Sequence, residues 1–448
     1  MKTRNLVTIA LVAIVVIAAL AATHFLFNDG EKDGPDADDR ASVAVGLLED
    51  GEFETFYDSC DPVLQASLGS AAGLKAVWTQ YTYGIGDFET IEESEAFTSD
   101  ANTVTQTYCR HSEWGLLLTV TFANDDSIVG LFLGYYEPEG ADPLPEGLVE
   151  TDAVVDAGTG YPLPGTLTSS ADSGHGVAAV IVHGSGPNDR DGTITVNKPY
   201  RDIARGLASH GIDVLTYDKR TYVYGSGFCD DPAYATIDDE TADDAVAAIA
   251  MLKGMGYERV YLIGHSMGGM LAPYIVDRCD GLCDGFVSLA GSPRDLTDIL
   301  ADQIWAQYSQ LPDADVYRQY IDSQLAVADS LAGMTDEQRA SVTVFDQSGY
   351  YIWSLDSIDE VAIAGSLDVP MLFLQRGADF QAYADVDYAM WEDALGDDPD
   401  AGFILYDGLG HPFIASGGPY AGTSLEYNQR GHVDGQVIED IAEFILGE

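Results

Sequence analysis

From about residue 150 onward, short runs of consecutive apolar residues alternate with longer amphipathic segments. The continuous apolar run at 177–182 has the composition of a strand that is buried on both faces, and strands are also predicted at 212–217 and 285–290. The segments at 200–210 and 239–255 have the spacing of helices. Because strand and helix alternate regularly, this part of the chain is predicted to be an α/β domain with a mostly parallel, doubly wound sheet.

The preceding part of the chain, residues 41–135, has a different pattern. Helical segments occupy much of 42–83, and stretches of alternating apolar and polar residues follow between 87 and 133. Helices followed by meandering strands predict a small α+β domain. A segment rich in proline, glutamate and glycine at 136–150 is predicted to link it to the second domain, residues 151–448.

The N-terminal segment has the pattern of an export signal. Lys2 and Arg4 precede an apolar run at 6–27, and an acidic stretch that ends at residue 40 follows. Residues 1–28 fit a signal peptide cleaved after Ala21, and they equally fit a retained membrane anchor, since the run is about long enough to span a bilayer. The rest of the chain, beginning with an acidic linker at 29–40, is then expected to be extracytoplasmic, with membrane contact only through this segment.

Residues 259–272 combine a strand pattern and a helix pattern around one serine. An apolar, β-branched run stops at Gly264, and a small-residue run compatible with a helix begins after Gly268. This G-x-S-x-G sequence predicts a sharp turn with Ser266 at its apex, where glycines are needed because the strand and helix backbones approach each other closely. The N–H of Met267 is expected at the helix N-terminus, where it would stabilise a developing oxyanion.

With this motif between a strand and a helix, the chain resembles the α/β-hydrolase superfamily of serine hydrolases, over roughly residues 150–448. The resemblance is to exported esterases and lipases with a serine-peptidase-like core, and it implies the α/β-hydrolase fold, here preceded by the small α+β domain. Amphipathic helical segments interrupt the alternation at 292–366. An insertion at this place in the superfamily usually forms a helical cap over the active site; a peripheral bundle without substrate contact is the alternative.

The resemblance also implies a catalytic triad in the order serine, acid, histidine, with each residue following a strand. A serine hydroxyl is a weak nucleophile, so it needs a base, and the base needs an orienting carboxylate. Asp379 and His411 stand where the family places this acid and base for Ser266. Asp407 also follows a strand but is close in sequence to His411, and His432, before the closing helix, is the rival base.

A second oxyanion donor is expected opposite Met267, from the loop after an earlier strand. Residues 183–187, His-Gly-Ser-Gly-Pro, resemble the family's H-G-x-G oxyanion loop. The N–H of Ser185 is therefore the predicted donor, and Gly184 and Gly186 allow close approach. The charged segments at 186–192 and 217–220 are expected either to brace this loop through ion pairs or to contact substrate.

Charge and cysteine content narrow the possible partners. The net charge is −54, with 20 Lys and Arg against 74 Asp and Glu, which excludes nucleic acid and anionic membrane surfaces as partners. Outside the cytoplasm, Cys60 could pair with Cys109, and Cys279 with Cys283, or one of these two with Cys229. None of the cysteines and histidines has convincing metal-ligand spacing, so no metal is expected.

Together these features predict an exported serine hydrolase that cleaves the carboxylic ester of a small molecule through an acyl-enzyme, without a cofactor. A peptidase or amidase of the same fold stays open, because esters and amides pass through the same tetrahedral chemistry. An inactive surface binding protein on a hydrolase scaffold is the third possibility, since a fold alone does not confer function.

Overall fold

The computed structural model describes residues 35–99, 102–171, 176–309, 311, 314–418 and 420–447. The chain divides into two compact units. The first comprises the chain up to Pro143 together with Tyr427–Arg430, and the second comprises Leu144–Glu426 and the remainder from Gly431. The predicted export segment lies outside the described residues. Within the described ranges, no helix is both long and apolar enough to cross a membrane.

The first unit consists of helices followed by an antiparallel sheet. Its helices are α1 (Pro35–Glu49), α2 (Phe53–Asp58), α3 (Pro62–Leu68) and α4 (Ala71–Thr82). Its sheet has the order β1-β2-β3-β4, formed by β1 (Phe88–Ser99), β2 (Asn102–His111), β3 (Gly115–Phe122) and β4 (Ile128–Tyr136). The predicted small α+β domain is confirmed.

Three boundaries of this unit differ from the sequence analysis, the first being its end at Pro143, inside the predicted linker. Residues 35–40, assigned there to the acidic linker, form the start of α1, because a proline suits the first helical position and residues 41, 44, 45 and 48 give the helix a buried face. Tyr427–Arg430, assigned to the second domain, belong to the first unit. There the Arg430 guanidinium lies 4.7 Å from the centre of the Trp114 ring, and Asn428 donates a hydrogen bond of 3.0 Å to the Gln80 carbonyl.

The second unit is built on an eight-stranded sheet of order β14-β13-β10-β9-β7-β8-β6-β5. Strands β5 and β6 are antiparallel to their neighbours, and the others run parallel. The strands are β5 (Leu148–Val155), β6 (Leu163–Ser170), β7 (Val177–Val182), β8 (Asp213–Tyr217), β9 (Arg259–His265), β10 (Gly285–Leu289), β13 (Met371–Arg376) and β14 (Ala401–Tyr406), with the short hairpin β11 (Thr343–Val344) and β12 (Gln347–Ser348) before β13.

Helices cover both faces of this sheet. They are α5 (Pro199–Ser209), α6 (Arg220–Tyr224), α7 (Asp243–Met255), α8 (Met267–Met270), α9 (Ala272–Arg278), α10 (Leu296–Tyr308), α11 (Ala314–Ser330), α12 (Asp336–Ala340), α13 (Gly349–Leu355), α14 (Glu360–Ala364), α15 (Ala389–Leu395) and α16 (Gly435–Leu446). Short 3₁₀ or π turns lie at Gly225–Gly227, Pro232–Tyr234, Asp238–Ala242, Leu331–Gly333, Ala384–Tyr388 and Ser424–Asn428. Alternate residues of one strand enter different cores: Val180 and Val182 pack with α7, whereas Ala179 and Ile181 pack with α5. The predicted doubly wound, mostly parallel sheet is confirmed.

The chain between β10 and β13 forms the predicted helical insertion, α10 to α14. Its buried residues, among them Leu296, Ile321 and Ile352, belong to the same hydrophobic cluster as Met267 and Met270 of α8. The insertion, called the cap below, is therefore packed against the part of the sheet that carries the serine turn.

All five cysteines are free, so the pairings considered from the sequence are not formed. Instead, the thiols of Cys60, Cys109, Cys279 and Cys283 donate hydrogen bonds to main-chain carbonyls close to them in sequence. Burial raises the pKa of Cys109, Cys279 and Cys283 to about 12, and nearby acidic residues or thiols add to the shift. These thiols stay protonated and act as small buried side chains.

Candidate active site

Ser266 occupies the sharp turn between β9 and α8. Its φ of 55° lies in the left-handed region, which is uncommon for a residue with a side chain. A Cβ added to Gly264 would lie 2.1 Å from the carbonyl oxygen of Gly268, and a Cβ added to Gly268 would lie 2.4 Å from that of Val182. The turn can therefore form only if both flanking positions are glycine.

Replacement of Gly264 by alanine should destabilise the protein by about 1–3 kcal/mol or more, because the new Cβ meets backbone atoms that cannot rotate away. The matched control is Gly254→Ala in α7, where no atom lies within 4 Å of the added Cβ. That change should be neutral or stabilise by up to about 1 kcal/mol, as expected for alanine in a helix. Urea unfolding of both variants measures the difference, and equal midpoints for the two would contradict the steric argument.

Asp379 and His411 come together on the loops after β13 and β14. The Nδ1 atom of His411 lies 3.0 and 3.2 Å from the two carboxylate oxygens of Asp379, and both side chains are buried. The N–H of Gln381 donates to Asp379 Oδ1 at 2.8 Å and fixes the carboxylate. With Nδ1–H donating to Asp379, the Nε2 atom of His411 is left unprotonated, as a general base requires.

A buried arginine that the sequence analysis missed joins this pair. Arg376, the last residue of β13, donates through Nη2 to the Asp379 carboxylate. Its Nη2 atom also lies 2.9 Å from His411 Nδ1, but with the proton on Nδ1 the carboxylate is the acceptor for both groups. The guanidinium carbon lies 4.7 Å from the centre of the Phe413 ring. Although burial by itself raises the pKa of Asp379, the facing His411 and the Arg376 guanidinium lower it below the usual range. Asp379 is therefore ionised at any pH at which the protein would work.

The two rival residues lie in different surroundings. Asp407 is exposed. The side chain of His432 is 57% exposed and pairs through Nδ1 with Asp202 Oδ1 at 3.0 Å. The geometry therefore favours Asp379 and His411 over both alternatives.

Replacement of Asp379 by asparagine should lower kcat by about 10³–10⁴-fold, because the amide no longer holds His411 in the tautomer that accepts a proton at Nε2. Asp407→Asn makes the same chemical change on the neighbouring post-strand loop, at an exposed position, and should leave kcat near its original value. The kcat of both variants is measured from the steady-state hydrolysis of a nitrophenyl ester. A large loss for Asp407→Asn with a small loss for Asp379→Asn would reverse the assignment of the acid.

The predicted oxyanion loop, residues 183–187 after β7, lies directly beside the serine turn. A Cβ added to Gly184 would be 3.2 Å from the Cβ of Ser266. The side-chain amide of Asn188 donates to the carbonyls of residues 184, 185 and 186 at 3.3, 3.0 and 2.9 Å, which fixes the loop backbone. Arg190 and Asp218, in the flanking charged segments, form a two-point ion pair with N–O distances of 3.0 and 2.8 Å. The ion pair between the two charged segments thus braces the loop region, which is one of the two roles expected for these segments.

A chain of hydrogen bonds beneath the turn connects this loop with His411. The N–H of Gly184 donates to the Tyr200 hydroxyl at 3.1 Å, and the same hydroxyl lies 3.1 Å from His265 Nδ1. His265 Nε2 lies 3.0 Å from the carbonyl oxygen of His411. Burial, with a smaller effect of His411, lowers the pKa of His265 to about 3, so the ring is neutral.

The partners of His265 also determine its tautomer. Its Nε2 faces a carbonyl oxygen and must carry the proton, so Nδ1 accepts from the Tyr200 hydroxyl. His265 immediately precedes the serine, and no local pattern connects it with Tyr200, which is 65 residues away. Together the two side chains connect the oxyanion loop with the histidine loop at the residue next to Ser266.

A cavity of about 440 Å³ opens beside the turn. Ser185 and Met267, the predicted oxyanion donors, line it together with the cap residues Leu296, Leu300 and Tyr351. The remaining lining residues are Gly186, Pro187, Thr221, Ser226, Phe228, Pro232, Ala235, Glu240, Gln347 and Ser348. The cap thus supplies part of the wall of the cavity, which argues against a peripheral bundle without substrate contact.

A parallel sheet with a serine at a strand–turn–helix elbow, and an Asp–His pair on later post-strand loops, defines an α/β hydrolase. A family model described as alpha/beta hydrolase fold matches residues 178–352. Esterase EstD from Thermotoga maritima is 31% identical over 420 residues, which cover 91% of this chain and 95% of that protein. The chain therefore belongs to the α/β-hydrolase family and is an esterase-type member of it.

Two solved esterase structures are among those to which the chain was matched. Est1E from Butyrivibrio proteoclasticus is 15% identical, covers 66% of this chain and 98% of its own, and superposes with a TM-score of 0.43. The Pyrococcus furiosus esterase Pf2001 is 17% identical, covers 59% of this chain and 83% of its own, and gives a TM-score of 0.39.

Proposed function

We propose that the protein is an exported serine carboxylesterase that works through an acyl-enzyme. Ser266 Oγ attacks the ester carbonyl carbon while His411 Nε2 removes its proton, and Asp379 stabilises the imidazolium. The N–H groups of Ser185 and Met267 hold the oxyanion of the tetrahedral intermediate. The proton then passes from His411 to the departing alcohol oxygen, the C–O bond breaks, and the acyl group stays on Ser266.

The second half of the cycle repeats these roles with water as the nucleophile. His411 Nε2 takes a proton from water as the water oxygen attacks the acyl carbon, and the same two N–H groups hold the second oxyanion. Return of the proton to Ser266 Oγ releases the carboxylic acid. Both halves use residues of this chain alone.

One observation carries the proposal: the serine turn lies next to two fixed loops. A Cβ on Gly184 of the oxyanion loop would lie 3.2 Å from Ser266 Cβ. The residue before Ser266, His265, holds the carbonyl of His411 at 3.0 Å. A nucleophile on a strained turn next to a donor loop and an Asp-paired histidine is the arrangement that acyl transfer needs.

The cavity supports a small, uncharged ester as substrate. Its volume of about 440 Å³ lies toward the lower end of the roughly 300–1,000 Å³ range of small-molecule pockets. Glu240, the carboxylate in its lining, is paired with the Lys219 ammonium at 2.6 Å. Since that charge is neutralised, Glu240 is a poor partner for a free amino terminus, and esters are favoured over aminoacyl amides.

We expect nitrophenyl butyrate to be hydrolysed with a kcat/KM at least about tenfold above that of nitrophenyl palmitate, because a long acyl chain exceeds the cavity. Enlarging the cavity with Leu300→Ala should move the preference toward longer chains. Aminoacyl nitroanilides should be turned over far more slowly than either ester. Faster cleavage of the anilides would favour the peptidase alternative, and equal turnover of short and long esters would exclude the cavity as the site of acyl binding.

The proposal of export depends on the sequence of the N-terminal segment. Lys2 and Arg4 before the apolar run 6–27 are the features of a signal peptide or anchor. N-terminal sequencing of the protein recovered from its cells distinguishes the two: a start after Ala21 indicates cleavage, and an intact start in the membrane fraction indicates an anchor.

A further inference from the structure

A buried lysine to which the proposed reaction gives no chemical step lies next to the oxyanion loop. Lys219 follows β8, and its side chain is 1% exposed. Its ammonium donates to the Gly184 carbonyl at 2.9 Å and to Glu240 Oε1 at 2.6 Å. A buried charge is costly unless it is paired and hydrogen-bonded, so this position of the ammonium is closely determined by its partners.

The Lys219 contact fixes the direction of one peptide group. In a trans peptide the C=O and the following N–H point in opposite directions. The Gly184 carbonyl is directed toward Lys219 Nζ and Asn188 Nδ2, so the N–H of Ser185, in the same peptide group, points away from them. Lys219 therefore holds the peptide that carries the proposed oxyanion donor.

Glu240 extends this arrangement to the cap. Its Oε2 accepts a hydrogen bond of 2.5 Å from the hydroxyl of Tyr351 in α13, and both side chains line the cavity. The Tyr351 hydroxyl also lies 3.8 Å from the sulfur of Met267, which accepts a hydrogen bond of 3.5 Å from the Ser185 hydroxyl. One cap residue thus contacts both the ion pair and the residue that carries the second donor.

The surroundings of Glu240 favour an ionised carboxylate, which compensates the Lys219 ammonium. Burial by itself raises the pKa of Glu240, but the Lys219 ammonium and the hydrogen bonds from Lys219 and Tyr351 lower it below its ordinary value. Glu240 is therefore ionised, and Lys219 is compensated rather than available to a substrate anion.

We propose that Lys219, Glu240 and Tyr351 are positioning residues that hold the oxyanion loop in its donor geometry and connect that geometry to the cap. The inference rests on the proposed function, since it assigns a support to the proposed Ser185 donor. A donor that is aimed in advance at the developing oxyanion stabilises the transition state more than the bound substrate. Loss of the support should therefore lower kcat and leave KM nearly unchanged.

The test compares kcat and KM of Lys219→Met, Glu240→Gln and Tyr351→Phe in the full chain with nitrophenyl butyrate. Lys219→Met should lower kcat by about 10²-fold, the cost of one misplaced oxyanion donor. Tyr351→Phe, which removes one hydrogen bond at the far end, should lower kcat by about tenfold or less. The losses of Lys219→Met and Tyr351→Phe should not add in the double variant, because both act on one connected group.

Lys253→Met is the matched control. The Lys253 ammonium also holds a carbonyl and a carboxylate, those of Glu258 and Asp284, each at 2.7 Å, but at the end of α7 away from the cavity lining. Its kcat should stay near the original value. An equal loss of kcat for Lys253→Met, or a rise in KM at unchanged kcat for Lys219→Met, would overturn the positioning role.

Circular dichroism of the variants and the activity of Ser266→Ala separate a folding defect and a failure of the proposed function from a failure of the positioning role. If Lys219→Met does not fold by circular dichroism, Glu240→Gln and Tyr351→Phe carry the test, since both keep the shape of the side chain. Ser266→Ala is assayed alongside: its activity reports on the proposed function, whereas the split between kcat and KM reports on the positioning residues. Unchanged kcat for folded Glu240→Gln and Tyr351→Phe would overturn the inference even if Ser266 proves essential.

Discussion

Replacement of Ser266 by alanine should lower kcat for nitrophenyl butyrate by about 10⁵–10⁶-fold while leaving the fold intact. The change removes only the hydroxyl oxygen, and alanine meets the same backbone requirement at φ 55° as serine does. Without the nucleophile no acyl-enzyme forms, and the remaining oxyanion donors and base support only slow direct attack by water. Steady-state assays at high enzyme concentration, with circular dichroism as a check on folding, measure the effect.

Ser209→Ala is the control for loss of a hydroxyl. Ser209 is an exposed residue at the end of α5, and its hydroxyl donates to the Arg205 carbonyl. The activity of Ser209→Ala should equal that of the unmodified protein. If Ser266→Ala retained more than a few per cent of the activity, another residue would have to supply the nucleophile.

Replacement of His411 by alanine should lower kcat by about 10⁵-fold, because the Ser266 hydroxyl then has no base and the leaving alcohol has no proton donor. Asp379 would also lose the partner that Nδ1 provides at 3.0 Å. The same assay measures the variant, and slower labelling of Ser266 by a fluorophosphonate would show that the serine itself has lost its activation.

His432→Ala gives the matched comparison for this change. Its imidazole is exposed and paired with Asp202, so its removal should leave kcat within about twofold of the original value, as for most surface substitutions. A severe loss for His432→Ala together with mild loss for His411→Ala would identify the rival histidine as the base.

Several parts of the fold and of the site follow directly from local sequence. The runs at 177–182 and 285–290 are apolar at every position or nearly so, which is what a strand covered on both faces requires, and they are β7 and β10. The serine turn is also local, because the steric demand at Gly264 and Gly268 arises within a few residues of Ser266. Asp379 and His411 could be selected from the family resemblance, because each lies on the loop that follows a strand, β13 or β14.

The remaining features depend on contacts between residues that are distant in sequence. Glu240 and Tyr351 are 111 residues apart, and no pattern near either one indicates the other. Arg376 lies three residues before Asp379, in the segment searched for the acid, yet only the folded loop shows that its guanidinium reaches the carboxylate. The cysteine spacing suggested disulfides, but a pairing depends on distances between Cα atoms that spacing does not determine.

The start of α1 also could not be predicted from the composition of its own residues. Residues 29–40 are acidic and contain proline and glycine, which is typical of a linker. However, Pro35 suits the first turn of a helix. Residues further along α1 are buried and stabilise the helix, which begins at Pro35. Composition alone therefore placed the start of the domain at residue 41, whereas the helix begins at Pro35.

Labelling with a fluorophosphonate, followed by mass spectrometry of the modified peptide, tests the central claim most directly. The reagent forms a stable bond only with an activated serine, so it reports on the nucleophile, its base and the oxyanion donors together. We predict one adduct per chain, on Ser266, absent from Ser266→Ala and strongly reduced in His411→Ala. An adduct on another serine, or none in the folded protein at any salt concentration, would contradict the assignment of Ser266 as the nucleophile of an esterase.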